Sequence, residues 1–302
     1  MVERSAVARV TDVARGRRSG LVALIVPELT KPIDPAFARA VDGGLAQHGY
    51  TSVLCTPTPG GATEDDFVDV LLDRGVTALV FVAGRHADST ADHARYRQLA
   101  SSGLPLVLVN GFLPDLDATF LSTDDELAMD LAVQHLAALG HTRVGLVVGP
   151  RRLLQVRRQV LGFTRAVFAR LGTAPEQATA LVEHSALSVA AGQQAADRLL
   201  DSGATALLCG SDLVALGAVR AARRRGLSVP ADVSVVGYDD SAVPAFVDPP
   251  LTVVRPPASA MGAAAVTALL DQLAGAGLTR HEYVFRPELV VRGSTARLRP
   301  SA

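Results

Sequence analysis

Short apolar runs alternate with longer amphipathic segments along nearly the whole chain of 302 residues. The runs Leu21–Val26, Thr51–Leu54, Ala78–Val82, Pro105–Val109, Val144–Val148, Ala204–Cys209 and Val233–Val236 read as strands. They are continuously apolar rather than alternating, as expected of strands covered on both faces. Between them Pro35–His48, Asp65–Asp73, Asp124–Leu139, Arg157–Leu171, Val189–Leu200 and Leu213–Arg225 read as helices. Strands alternating with helices of about 10–15 residues predict parallel sheets coated by helices, an α/β fold. Both halves of the chain repeat this pattern, so two similar Rossmann-like lobes are expected.

Several boundaries have a local cause. Thr123 and Glu126 have the spacing of a capping box, and Gly140 follows the last turn of the helix they would open. Arg223, Arg224 and Arg225 precede Gly226, as suits a helix carboxyl end. After Leu251–Val254 and the Arg255-Pro256-Pro257 break comes an Ala-rich helix, about Ala258–Ala274, and a last strand, Glu288–Val291. Two late elements after two complete lobes predict that the chain crosses between lobes more than once. Such a chain makes a hinged pair of lobes with a cleft between them.

Composition narrows the class. Hydrophobic residues make up 49% and charged residues 20%, enough to build a sizeable core. A formal net charge of −1 excludes attraction of the whole molecule to nucleic acid or membrane, so any basic surface must be local. Residues 1–18 supply one: Arg4, Arg9, Arg15, Arg17 and Arg18 against Glu3 and Asp12 give a net +3. This arm has no apolar signal core, and no run approaches the eighteen or so residues that cross a bilayer. A cytoplasmic protein without membrane contact is expected. Cys55 and Cys209 sit in separate strand-like runs and read as buried free thiols.

Ligands of such sheets bind beyond the carboxyl ends of the strands. Asp239 and Asp240, after the strand ending in Val236-Gly237-Tyr238, would place carboxylates there or simply form a turn. Ser211 and Asp212 follow another strand, where helix capping explains both. Thr30, past the first strand, is either a loop hydroxyl or a ligand contact. No nucleophile elbow, phosphate loop or zinc helix is present, so no enzyme, cofactor or metal is expected. His135 and His141, six apart around a helix end, read as structural.

Five ordered segments carry a resemblance: "LIVPELTKP", "AVQHLAALGHTRVGLVVGP", "ALLCGSDLVALGAVRAARRRGLSVPADVSVVGYDD", "DPPLTVVRP" and "PELVVRGST". With them, residues 20–297 resemble the effector-binding core of the LacI/GalR (lactose-repressor) family of bacterial transcription regulators. The resemblance implies a periplasmic binding protein-like type I fold. Its amino-terminal lobe would span 20–140 plus 256–284, and its carboxy-terminal lobe 141–254 plus 285–297. It implies a small effector, sugar or nucleobase-like, in the interlobe cleft, a homodimer, and control of operator DNA. Asp239 matches the family's acidic cleft residue, Asp124 the aspartate opening its helix, and Ser211 a position where many members carry asparagine. Where the family often has arginine, this chain has Gln159, with Arg158 about 100° away around the helix. Thr30, Asp124, Gln159, Ser211 and Asp239 are therefore the expected ligand contacts.

The family's helix-turn-helix precedes the first strand, and residues 1–19 match only a basic arm or hinge remnant, so the reader is expected to be missing or truncated. Arg15, Arg17 and Arg18 would touch DNA weakly, since neutralising about three phosphates gives a salt-sensitive, sequence-blind contact. The alternative is a solute-binding protein delivering a sugar-like ligand to a transporter, which the lack of an export signal disfavours.

Overall fold

The computed structural model describes residues 19–26, 35–58, 60–278 and 280–299. The basic arm with Arg15, Arg17 and Arg18, and the candidate Thr30, lie outside the described residues. The chain divides into two compact units, Met1–Ser122 with Ala258–Phe285, and Thr123–Pro257 with Arg286–Ala302.

The first unit is built on β1 (Leu21–Ile25), β2 (Thr51–Cys55), β3 (Ala78–Val82), β4 (Leu106–Val109), β5 (Thr119–Thr123) and β11 (His281–Phe285). They form one six-stranded sheet in the order β11-β5-β4-β3-β1-β2. The ladders from β2 to β5 are all parallel, with Val22 level with Ser52 and Ala78. Successive side chains point to opposite faces, so each strand feeds two cores. Ile25, Phe81, Leu108 and Phe120 meet α2 (Glu64–Asp73) and α3 (Ala94–Ser101). Leu24, Val80, Val107 and Leu121 meet α1 (Pro35–Ala46) and α9 (Ala258–Asp271) on the other face.

The second unit repeats the plan with β6 (Val144–Val148), β7 (Val182–His184), β8 (Ala206–Cys209), β9 (Ser234–Tyr238), β10 (Thr252–Arg255) and β12 (Glu288–Val290). Their order is β12-β10-β9-β8-β6-β7, parallel except for the antiparallel β10–β12 pair. Leu146, Leu208 and Val236 face α4 (Asp125–Ala138) and α5 (Leu154–Leu171). Val147, Leu207 and Val235 face α7 (Val189–Asp201) and α8 (Asp212–Arg224), and α6 (Pro175–Ala180) leads into β7.

In each unit one helix pair closes on a glycine. A Cβ on Gly217 of α8 would lie 2.4 Å from the carbonyl oxygen of Val189 on α7. A Cβ on Gly262 of α9 would lie 2.8 Å from the carbonyl oxygen of Phe37 on α1. The backbones therefore touch directly there, at a separation no side chain permits.

Two details differ from the sequence reading. The first lobe was expected to reach residue 140, but the first unit stops at Ser122 because α4 packs its buried Met129, Val133 and Leu136 against the second unit's sheet. The cap of α4 is Asp124 rather than Thr123: its carboxylate accepts from the Leu127 amide at 2.9 Å. Among the described residues no helix is long and apolar enough to cross a membrane.

Candidate functional site

The second unit gathers its buried polar groups at the carboxyl ends of β6, β8 and β9. Asp125, the first residue of α4, is 3% exposed and turns its carboxylate inward. The Tyr238 hydroxyl, at the last position of β9, donates to its Oδ1 at 2.7 Å. Gln155 of α5 donates to the same oxygen at 3.3 Å, Gln159 adds a further side-chain hydrogen bond, and Arg158 contributes positive charge. Burial wins over all of these and pushes the Asp125 carboxyl up to about 7. The same burial, with the Asp125 charge, drives the Tyr238 hydroxyl well above its usual range.

A second carboxylate sits one strand over. Ser211 caps α8, its hydroxyl accepting from the Val214 amide at 3.3 Å. Asp212 is 4% exposed and accepts from the Ser241 amide at 2.7 Å. Its carboxyl is pushed up to about 6, chiefly by burial and further by the nearby Asp240 charge. It is thus a buried site group and not the solvated first-turn anion that capping alone implies.

Asp239 and Asp240 end β9 in left-handed backbone, with φ of 95° and 57°. Asp240 points inward to two arginines. Arg255 Nε donates to Oδ2 at 2.6 Å, and Arg292 lies 2.7 Å from Oδ1 as an ion pair without hydrogen-bond alignment. Asp239 is exposed at the same edge. Strained, non-glycine backbone of this kind concentrates at functional sites.

Of the expected contacts, Gln159 lies in the Asp125 cluster, Asp239 stands at the edge beside Tyr238, and Asp124 and Ser211 serve as helix caps. Sequence reasoning missed Asp125, Asp212, Gln155 and Tyr238. It also treated Gln159 as a neutral substitute for a charge, whereas Arg158 acts on the same carboxylate. The signal for Asp125 was present: two aspartates open α4, only one can cap, and the other must point elsewhere.

The remaining candidates are structural. His141 bridges the hydroxyls of Thr205 (3.0 Å) and Ser234 (2.9 Å) and reaches the Ala296 carbonyl, and His135 meets Thr295 at 2.9 Å. Cys55 and Cys209 are free and buried, and burial raises both thiols. Among the described residues no group of three or more His, Cys, Asp or Glu could hold a metal ion.

Residues 133–295 match the family of periplasmic binding protein-like domains. An HTH-type transcriptional regulator encoded 5′ of aml in Streptomyces limosus is 56% identical over 95% of this chain and 82% of its own length. The HTH-type transcriptional regulator MalR of Streptomyces coelicolor is 53% identical over 93% of this chain and 82% of its own. The chain belongs to the LacI family of transcriptional regulators. Solved structures agree with this membership. The regulator CelR in complex with cellobiose superposes with a TM-score of 0.79 at 28% identity, over 92% of this chain and 85% of that one. The lac repressor dimer bound to operator and the anti-inducer ONPF gives 0.78 at 26%, over 95% and 98%. In this LacI-family regulator, the carboxyl-end cluster of the second unit occupies the edge at which open α/β sheets bind their ligands.

Proposed function

We propose that this regulator binds a small, neutral, polar effector of the sugar class at the strand ends where Asp125 and Asp239 stand, and that occupancy changes its affinity for operator DNA. The observation that carries this reading is the Asp125–Tyr238–Gln155–Gln159 cluster with Asp239 exposed beside it. Carboxylates and amides accept hydroxyl donors in pairs, and the buried setting strengthens each bond. Asp239 and Gln159 are the primary contacts; Asp124, Ser211 and Thr30 complete the set. The role is ligand sensing rather than catalysis, in the cytoplasm. Effector and operator are linked by a coupling energy of about 1–3 kcal/mol.

The regulator acts as a homodimer. Exposed apolar side chains on the second unit support this: Phe246 is 88% exposed and Val243 50% exposed, beside a groove of about 350 Å³ lined by Leu216, Val219 and Val247 together with the charged Arg220, Arg223 and Asp248. Operator DNA is read by a helix-turn-helix where one precedes the core, with Arg15, Arg17 and Arg18 adding weak phosphate contacts.

The test is retention of the DNA upstream of its own gene, at low and physiological salt, with neutral sugars such as cellobiose and ribose added. Sugar-dependent, sequence-specific retention supports the reading; retention that vanishes with salt and ignores every sugar overturns it. Asp239→Asn is expected to weaken sugar binding about tenfold, as loss of a charge-assisted hydrogen bond does. Unchanged affinity removes Asp239 from the site. Phe246→Ala is expected to lower dimer affinity in sedimentation.

A further inference from the structure

The turn that carries Asp239 is held from four sides, all within the second unit. Asp239 and Asp240 are consecutive residues in left-handed backbone, with φ of 95° and 57°. Each has a Cβ that this region disfavours, so the turn persists only where its surroundings fix it. The Asp239 amide donates to the Val254 carbonyl at 3.0 Å, and the Ser241 amide donates to Asp212 Oδ2 at 2.7 Å. Between these two anchors the Asp240 side chain turns inward and is only 5% exposed.

Arg255 is the main hold on that carboxylate. It is the last residue of β10, one position past Val254, the register partner of Tyr238. Its guanidinium meets Asp240 Oδ2 through two nitrogens, with Nε donating at 2.6 Å. The remaining terminal nitrogen donates to Glu288 Oε1 at 2.8 Å, across the antiparallel β10–β12 pair. A planar fork shared between two carboxylates is fixed in orientation, as a lysine ammonium would not be. Arg292 faces Asp240 Oδ1 from the other side at 2.7 Å. It is anchored in turn, its amide donating to Thr252 Oγ1 at 2.9 Å and its guanidinium to the Leu251 carbonyl at 2.8 Å.

A glycine at position 240 would adopt the same left-handed backbone without strain. The aspartate found there gives the two arginines a grip on the turn. Both guanidiniums are engaged by protein oxygens. With the peptides before and after Asp240 pinned, the Cα–Cβ direction of Asp239 is set, and its exposed side chain stands at one place beside Tyr238. The Arg255 side chain is itself 41% exposed, and Arg292 stays beside Asp240 when Arg255 is removed. Loss of Arg255 therefore leaves no buried charge without a partner and costs little stability.

We infer that Arg255 is a positioning residue for effector recognition: through Asp240 it holds the turn that places the Asp239 carboxylate, without touching the effector itself. The inference rests on the proposed role of Asp239 and adds the side chain on which that role depends. A double-mutant cycle in the full chain tests it, with Asp239→Asn, Arg255→Met and the two combined. The readouts are Tm without ligand, and calorimetric affinity for a panel of neutral mono- and disaccharides that includes cellobiose and ribose. Arg255→Met is expected to keep Tm near the wild-type value and to weaken the sugar bound by the wild type about tenfold. The combined variant is expected to lose about tenfold as well, because Arg255 then has no carboxylate to place. A loss of about a hundredfold in the combined variant overturns the inference, because the two side chains then act independently. Wild-type affinity in Arg255→Met also overturns it and leaves the proposed function standing. If Arg255→Met does not fold, Arg255→Lys, which keeps the charge and loses the fork, runs the same cycle with the same outcomes. Unchanged affinity in Asp239→Asn removes Asp239 from the site and the inference with it. A wild-type chain that binds no sugar of the panel overturns the sugar-class reading, and this inference too.

Discussion

The two units share a strand order and differ in what they carry past the strand ends. In the second unit that edge holds Asp125, Asp212, Asp239 and Asp240, two of them with carboxyls raised by burial and one clasped by arginines. In the first it holds a neutral histidine, an amide and a hydroxyl, with one buried glutamate tied to Tyr96. The cores below are interchangeable in kind: aliphatic strands between two helix pairs. Fold and chemistry are thus separable along each strand, with apolar packing in the body and polar groups gathered at the carboxyl end.

The largest expected effect tests the claim that the bodies are alike. An alanine in an exposed helix gains up to about 1 kcal/mol over glycine. At Gly217 and Gly262 the sign reverses, because the new methyl meets backbone at 2.4 and 2.8 Å. Gly217→Ala and Gly262→Ala are each expected to cost about 2–3 kcal/mol in denaturant unfolding. A neutral result in only one unit would show that the two bodies are built differently.

Next in size is the pH response, where the edges should diverge in sign. An unfolded aspartate titrates near about 3.9, whereas Asp125 in the fold sits at about 7. Its contribution is fully present below about pH 4 and is lost as pH rises to about 7, a few kcal/mol at most. Asp125→Asn should flatten this loss in stability curves taken from pH 5 to 8. His86 acts oppositely: held at about 4, it withdraws stability as pH falls from about 6.5. Glu64, raised by burial, partly offsets His86. An unchanged pH profile for Asp125→Asn would mean that its carboxylate is not desolvated.

The smallest expected effect concerns backbone strain. Ala83 sits at φ 48°, where a Cβ costs about 1–2 kcal/mol that glycine avoids. Glycine loses part of this gain through its extra unfolded-state freedom. Ala83→Gly should therefore raise thermal stability by about 0.5 kcal/mol. A loss would show that the β3 exit is not strained.

What was legible in the chain follows the same division. β1, β3, β4, β6, β8 and β9 announced themselves because strands buried on both faces must be apolar throughout. Three strands did not. β5, Thr119–Thr123, is buried yet carries three hydroxyl residues, and β7 is only Val-Glu-His. β11, His281–Phe285, borders the sheet and needs few apolar positions. α3 escaped notice because only Tyr96 and Leu99 of its eight residues are buried. At the candidate site, the placing of Asp239 at the end of β9 and of Gln159 on a helix could be read from position, but which of Asp124 and Asp125 caps α4 could not. Which of two adjacent carboxylates caps a helix depends on one pair of backbone angles. Asp212 looked like an ordinary helix-opening anion until its burial was visible.

The order of the chain has a further consequence during synthesis. The face of the first sheet formed by Val22, Val80 and Val107 is covered by α9, which the ribosome delivers only after the whole body of the second unit. The second unit also waits, since Ser294 binds the Val235 carbonyl and the Thr252 amide, and the Leu298 amide closes on Leu139. The first unit is not complete until Phe285 has left the exit tunnel, and the second not until residues near 298 have. At about 5–20 residues per second, an open apolar sheet face persists for many seconds on the nascent chain. During that interval the half-made chain presents apolar surface of the kind that drives aggregation.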